Sequence, residues 1–226
     1  MRTQKTIGRP TLLGPVLGGC LVLLISLLTL PAEADGQQMP KEQLVPILGV
    51  TMDEEPRGTV VYLALSFRER ADFSGLAVHF RSSPGRFSQM AQTAVQQAII
   101  RAAHSMHLST DSWTVVLTVP QNGLTIYGES LSAMVSLTVM AMAKGEFIAS
   151  DRVMTGTVTP DGHIGAVGSV PLKVDAAEKF HLRRVVVPEE QDPADSDWRT
   201  PFLMQVSPVS SVPQAYAALT EQVPFQ

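Results

Sequence analysis

Cysteine is nearly absent from this 226-residue chain, because Cys20 is the only one and lies in an apolar run near the amino terminus. If that run is removed, the mature chain holds no thiol, which excludes disulfides, thiolate metal sites and a cysteine nucleophile. No Gly-x-x-x-x-Gly-Lys-Ser/Thr phosphate loop occurs, so the sequence predicts no nucleotide cofactor. Stability must therefore come from a core, which a hydrophobic content of 45% can supply.

Charge is also sparse, at 17% of residues, with 17 Lys and Arg against 21 Asp and Glu. Residues 1–34 hold three of the basic and one of the acidic side chains. The remainder keeps 14 and 20, for a formal charge of −6. A mildly acidic body argues against nucleic acid as a partner.

The amino terminus combines basic residues, an apolar run and a small-residue site in the order that export requires. Arg2, Lys5 and Arg9 precede the nearly uncharged residues 11–30, and Ala32-Glu33-Ala34 follows. This pattern predicts a signal peptide, residues 1–34, and an exported protein that is periplasmic or secreted. Since a helix of about 20 apolar residues can cross a bilayer, an uncut membrane anchor with the domain outside the cytoplasm is the alternative.

Residues 35–43 are polar and predict a linker, so the domain is expected over residues 44–222. β-branched and aromatic runs predict three strands that form one antiparallel sheet, at 46–52, 59–67 and 75–80. Apolar residues recur every four positions in an expected helix from 87 to 107, and residues 131–143 predict a helix buried on all faces. Further strands are expected at 113–119, 183–187 and 203–207, a hairpin around Pro160-Asp161-Gly162, and helices at 172–181 and 213–219.

The sharpest local feature is Gly128-Glu129-Ser130-Leu131-Ser132, which lies where the chain turns into the buried helix. A serine at this junction has its hydroxyl beside unpaired helix N–H groups, which can stabilise an oxyanion. The alternative is that Ser130 is an ordinary N-cap.

Lys173 is the candidate base for such a serine, and it lies 43 positions downstream near the start of a mostly apolar helix. A lysine acts as a base only if burial lowers its pKa. Val170 and Val174 can provide apolar surroundings, whereas Asp175 could instead pair with Lys173 at the surface.

These residues resemble the proteolytic domain of Lon proteases, and the archaeal and membrane-bound branch in particular. That branch carries Gly-Asp-Ser-Ala-Ser where this chain has Gly128-Glu129-Ser130-Leu131-Ser132. The similarity continues through residues 151–156, which look like the family's Met-Thr-Gly segment, and through Val167-Gly168-Ser169-Val170-Pro171-Leu172-Lys173 to the carboxyl-terminal segments. Residues from about 44 to 220 are covered.

The resemblance implies a compact α+β domain with mixed sheets and packed helices. It also implies a catalytic dyad of Ser130 and Lys173, with Thr155 hydrogen-bonding the lysine. Glu129, Leu131 and Ser169 depart from the family pattern of aspartate, alanine and glycine. These departures bear on rate and specificity more than on reaction type.

Parts of the sequence also fit other kinds of site. The serine motif half-resembles a nucleophile elbow, for which Asp161 or Asp175 with His163 or His181 would complete a triad, but Ser132 stands where that elbow needs glycine. His104 and His107 lie three apart at a helix end without an acidic or thiol partner, so no metal site is predicted. A Lon-like binding or scaffold module that has lost turnover is the rival from another class.

The sequence therefore predicts an ATP-independent serine endopeptidase that cleaves peptides or unfolded proteins outside the cytoplasm, with no cofactor. Residues 11–30 would provide membrane association if they are not removed. Whether the protein forms a homo-oligomer is not predicted. Lon-like domains often form rings, but no segment of this sequence indicates an interface.

Overall fold

Alternating apolar side chains build the larger sheet. The computed structural model describes residues 41–195 and 198–220 of the chain. Strand β1 (Lys41–Val50) pairs antiparallel with β2 (Gly58–Glu69), whose Val61, Leu63, Leu65 and Phe67 are buried on one face. Because β1 begins at Lys41, residues 41–43 of the expected linker pair with residues 65–67 of β2.

The expected antiparallel sheet of the first three strands is wrong in its pairing. Strand β3 (Ala77–Phe80) does not contact β2, because β5 (Trp113–Thr118) lies between them in the order β1-β2-β5-β3. β5 is antiparallel to β2 and parallel to β3. A parallel neighbour requires a long crossover. Residues 81–112, which include a short strand β4 (Arg86–Phe87) and a helix, provide it.

That helix is α1 (Gln89–Ser105), and the hydroxyl of Ser88 caps it by accepting a hydrogen bond from the amide of Ala91 at 3.2 Å. The face that α1 buries includes Val95 and Ile99, whereas Met90, at one end of the expected four-residue apolar repeat, is exposed.

Helix α2 (Ser132–Lys144) is buried along nearly its whole length, as the continuous apolar run predicts. Gly145 ends it in a left-handed conformation, with φ 74°. The helix forms the centre of the main core together with α1 and α4 (Val212–Thr220), so its first residues are held in one place.

A second, parallel sheet has the order β11-β10-β7 and comprises β7 (Arg152–Met154), β10 (Arg184–Pro188) and β11 (Gln205–Val209). The hairpin of β8 (Thr157–Val158) and β9 (Ile164–Gly165) is antiparallel around the expected turn, but each strand has only two residues. Strand β6 (Thr125–Ile126) pairs parallel with β4 shortly before the serine motif.

Helix α3 (Val170–Lys179) packs on β2 and β1 in a second hydrophobic cluster, on the other side of the larger sheet from α2. Gly58 makes this close approach possible, because a Cβ at that position would lie 1.8 Å from the carbonyl oxygen of Leu172. The first turn of α3 is therefore fixed directly against the start of β2.

The signal-peptide and anchor interpretations concern residues 1–34, which lie outside the described residues. Within residues 41–195 and 198–220, no helix is long and apolar enough to cross a membrane.

Candidate functional site

Ser130 lies in a turn that leads into α2. Gly128 has φ 79°, which favours glycine, and Leu131 is the N-cap residue without a side-chain capping bond. The Ser130 hydroxyl therefore does not cap the helix, unlike that of Ser88 in α1. Its side chain is half-buried at the end of the most buried helix in the fold.

Backbone hydrogen bonds to the segment after β7 hold this turn in place. The amide of Gly156 donates to the carbonyl of Ser130 at 2.9 Å, and the amide of Ala133 donates to the carbonyl of Gly156 at 3.2 Å. The amide of Ser132 donates to the carbonyl of Glu129 at 2.9 Å. The Met-Thr-Gly segment, residues 154–156, and the serine motif are therefore bonded to each other.

Two amides of this turn remain available. Among the residues that the structure describes, no group accepts a hydrogen bond from the amide of Ser130 or Leu131. They lie at the amino-terminal end of α2, where the helix dipole favours negative charge. Such a pair of N–H groups can bind an oxyanion that forms next to Ser130.

Lys173 lies in the first turn of α3, and only 4% of its surface is exposed. Its amine donates a hydrogen bond of 2.9 Å to the carbonyl of Gly168, just before the helix. Ser169, the N-cap, adopts a left-handed conformation with φ 59°. Asp175, the alternative partner of Lys173, is exposed, whereas the amine of Lys173 is directed to the carbonyl of Gly168.

Burial lowers the pKa of Lys173 from 10.5 to about 8, and the negative charge of Asp195 opposes part of this shift. Desolvation penalises the ammonium form, because a buried charge loses its water. At pH 7 Lys173 is then unprotonated in about one molecule in ten, compared with fewer than one in a thousand at the ordinary pKa of lysine.

Ser130 and Lys173 line two clefts in common. The first, of about 630 Å³, is bounded mainly by the ends of β1 and β2, with exposed Met52 and Tyr127 at its surface. The second, of about 490 Å³, contains three carboxylates, those of Glu129, Glu190 and Asp192. No hydrogen bond joins Ser130 Oγ to Lys173 Nζ, yet a peptide in either cleft would meet both side chains.

Thr155 is fully buried. It lies next to the serine motif, because the amide of the following residue, Gly156, donates a hydrogen bond to the carbonyl of Ser130. Its hydroxyl has no hydrogen-bond partner among the described residues, so the bond to Lys173 that the resemblance implies is not formed here. A buried hydroxyl without a partner is costly, which makes this position worth testing.

The residues of the alternative sites lie elsewhere. His163 and Asp161 contact each other at 3.0 Å, but both are exposed on the hairpin, and neither cleft beside Ser130 is lined by a histidine. His181 is exposed beyond the end of α3. In the described part of the chain, no group of three or more His, Cys, Asp or Glu residues could hold a metal ion, and His104 and His107 belong to no such group.

Two groups of the site were missed at the sequence level. The Gly168 carbonyl holds the lysine amine, and Asp195 accepts hydrogen bonds from the amides of Ser169 and Val170. A backbone carbonyl has no sequence signature. Asp195 lies in an irregular loop, 22 positions beyond Lys173, where no local pattern relates it to the helix.

The fold brings a serine and a buried lysine to the same two clefts, and comparison with known proteins identifies the family of the chain. Residues 86–210 match the Lon protease (S16) C-terminal proteolytic domain. This chain belongs to that family.

Two curated relatives agree. "Lon protease homolog 2, peroxisomal" of Caenorhabditis briggsae is 32% identical over 110 residues, which are 47% of this chain and 14% of that protein. "Lon protease" of Mycolicibacterium smegmatis is 28% identical over 125 residues, 53% of this chain and 16% of that protein. The match thus spans about one-seventh of the length of each relative.

Proposed function

We propose that this protein is an ATP-independent serine endopeptidase that uses Ser130 as nucleophile and Lys173 as general base. The observation that carries the proposal is the environment of Lys173. A lysine buried to 4% exposure, with its pKa lowered to about 8, lines the same two clefts as a serine that caps no helix. A perturbed lysine beside an available hydroxyl is the arrangement that nucleophilic catalysis requires.

The chemistry follows from these two groups. Lys173 Nζ takes the proton of Ser130 Oγ as the oxygen bonds to the peptide carbonyl, and the resulting ammonium protonates the departing amine. Water then attacks the acyl-enzyme and gives a proton to Lys173. As the acyl C–O bond breaks and the carboxyl product leaves, the Lys173 ammonium returns that proton to Ser130 Oγ, which restores both groups. The same amine serves both halves of the cycle, so no histidine or acidic third residue is needed.

The amides of Ser130 and Leu131 complete the proposal as the oxyanion site. Fixed N–H donors next to the nucleophile stabilise charge that develops on the carbonyl oxygen, and a lost donor typically costs about 10²–10³ in rate. Their fixed position is supported by the bond from the Gly156 amide to the Ser130 carbonyl.

The substrates that we propose are peptides or unfolded proteins, since the sequence contains no phosphate loop to drive an unfolding motor. The site of action that we propose is outside the cytoplasm, on the basis of residues 1–34.

Covalent labelling of the purified protein tests the proposal. A fluorophosphonate probe should modify the wild type at Ser130, located by mass spectrometry of the labelled peptide, and casein should be degraded without ATP. Ser130→Ala should abolish both. Ser132→Ala is the matched control, because that serine is two residues away and buried at 1% exposure in α2.

Absence of labelling and turnover in a folded wild type would favour the non-catalytic module. A severalfold rise in casein degradation with ATP and magnesium would overturn the ATP-independent part alone.

A further inference from the structure

Asp195 ties the loop that follows β10 to the start of α3. One carboxylate oxygen accepts the amide hydrogen of Ser169 at 2.8 Å, and the other accepts that of Val170 at 3.0 Å. These are the amides of the N-cap and of the first helical residue, which have no partner inside the helix. A carboxylate at this end is also favoured by the helix dipole.

The amide of Ser169 and the carbonyl of Gly168 belong to one planar peptide unit. Asp195 bonds one side of this unit, and Lys173 Nζ bonds the other side at 2.9 Å. Because the unit is rigid, holding its N–H also fixes the direction of its C=O.

The backbone conformation of Ser169 depends on these two hydrogen bonds to the Asp195 carboxylate. With φ 59° it occupies the left-handed region, which is unfavourable for a residue with a Cβ. Its own side chain makes no capping bond. The two bonds from Asp195 therefore hold a conformation that Ser169 disfavours, and the aim of the Gly168 carbonyl depends on that conformation.

The charge of Asp195 acts on the same amine and raises the pKa of Lys173 against the larger effect of burial. Asp175 is exposed on the same helix as Lys173. Five other titratable groups line the two clefts together with Lys173: Asp53, Tyr127, Glu129, Glu190 and Asp192. Of all these groups, Asp195 alone also bonds the amides next to the Gly168 carbonyl.

We infer that Asp195 is a positioning residue for Lys173, which it serves by orienting the Gly168–Ser169 peptide. The inference rests on the proposed function in taking Lys173 as the base. It adds that the charge of a residue outside both clefts contributes, against the larger effect of burial, to the pH at which that base becomes available.

Asp195→Asn tests the inference, since it removes the charge while keeping the shape and one acceptor oxygen. The midpoint of Lys173 is followed by NMR of the Cε resonance in protein carrying ¹³C-labelled lysine, assigned by its absence in Lys173→Arg. The pH profile of kcat/KM for a peptide is measured in parallel. Asp192→Asn is the matched control, because that carboxylate belongs to the same loop but bonds the amide of Ala194 instead.

In Asp195→Asn we expect the NMR midpoint and the rising limb of activity to move together to lower pH by about one unit, the low end of the effect of a neighbouring charge. The plateau of kcat at high pH should fall, and it should fall further in Asp195→Ala. Asp192→Asn should move the midpoint less. Asp195→Glu, which keeps the charge, should leave the midpoint near that of the wild type.

An unchanged Lys173 midpoint in folded Asp195→Asn would overturn the inference whatever the activity. If Asp195→Asn does not fold, a downward midpoint shift in Asp195→Glu would overturn the role of charge. If the Lys173 midpoint shifts in Asp195→Asn but the wild type has no peptidase activity, the proposed function is contradicted and the positioning role of Asp195 is retained.

Discussion

A lysine that acts as a base must have an unprotonated amine near neutral pH, and that amine must have a defined direction. Burial among apolar neighbours lowers the pKa of Lys173 to about 8, which frees the amine to accept a proton, and the carbonyl of Gly168 gives that amine a defined direction. A more exposed lysine would keep its proton at neutral pH, whereas a lysine without a polar partner would have no fixed position. Burial meets the first requirement, and the backbone carbonyl of Gly168 meets the second.

We expect peptidase activity to rise with pH through a single limb centred near 8. The unprotonated amine is the active form, so activity is small below this pH and levels off above it. Lys173→Ala should lose turnover. Lys173→Arg should lose it as well, because a guanidinium keeps its proton. The measurement is kcat/KM from pH 6 to 10 on variants shown to be folded by circular dichroism. Near-normal cleavage by Lys173→Ala would falsify the dyad and return attention to the histidines.

Thr155→Val should separate stability from activity. Valine has the shape of threonine but lacks the hydroxyl, which is buried here without a partner, so the free energy of unfolding should rise by about 1 kcal/mol. If that hydroxyl serves the lysine during turnover, kcat should fall while KM changes little. Urea unfolding and peptide kinetics measure the two effects, and Thr155→Ser is the control that keeps the hydroxyl. Unchanged kcat in Thr155→Val would remove Thr155 from the mechanism.

Among the elements, α3 is positioned by unusually close contact. The start of β2 approaches the first turn of α3 so closely that only a hydrogen at Gly58 fits beside the Leu172 carbonyl. Lys173 is the next residue, so the contact that packs the helix also positions the proposed base. Rigid elements hold catalytic groups more accurately than loops do.

Gly58→Ala should therefore destabilise the protein and reduce activity together. The added Cβ must displace α3, and overpacking of this kind costs about 1–3 kcal/mol. Thermal unfolding checks the result. Gly49→Ala on β1 is the matched control, since its Cβ would meet Thr59 Cγ2 at an ordinary 3.6 Å. Equal melting temperatures for the two variants would contradict the close contact.

Local patterns predicted the elements better than their arrangement. The continuous apolar run from Leu131 predicted α2, and Pro160-Asp161-Gly162 predicted the turn between β8 and β9, because neighbouring residues determine both features. The insertion of β5 between β2 and β3 depends on which surfaces pack together over long distances, and sequence periodicity carries no such information.

The candidate site divides in the same way. Ser130 and Lys173 could be selected because the residues around each suggest a helix start and an apolar helix face. The hydrogen bonds that Asp195 accepts from the amides of Ser169 and Val170 could not be predicted from the sequence, because they depend on how the loop after β10 folds back on α3.

For the whole molecule, the amino terminus is the feature most open to a direct test. We expect the protein isolated from its host to begin at Asp35, because basic residues, an apolar run and Ala32-Glu33-Ala34 occur in the order of a cleaved signal peptide. Mass spectrometry of the intact protein measures this. A chain that still begins at Met1 in the membrane fraction would replace secretion with anchoring.

Helix α4 is hydrogen-bonded to two strands of the second sheet. Arg152 in β7 donates to the carbonyl of Leu219 at 2.8 Å, and buried Arg184 in β10 donates to that of Ala218. Both bonds attach the sheet to the last turn of α4. Because α4 follows both strands in the chain, we expect these two bonds to form only after residues 218 and 219 have been synthesised, so β7 and β10 depend on a helix that is made after them.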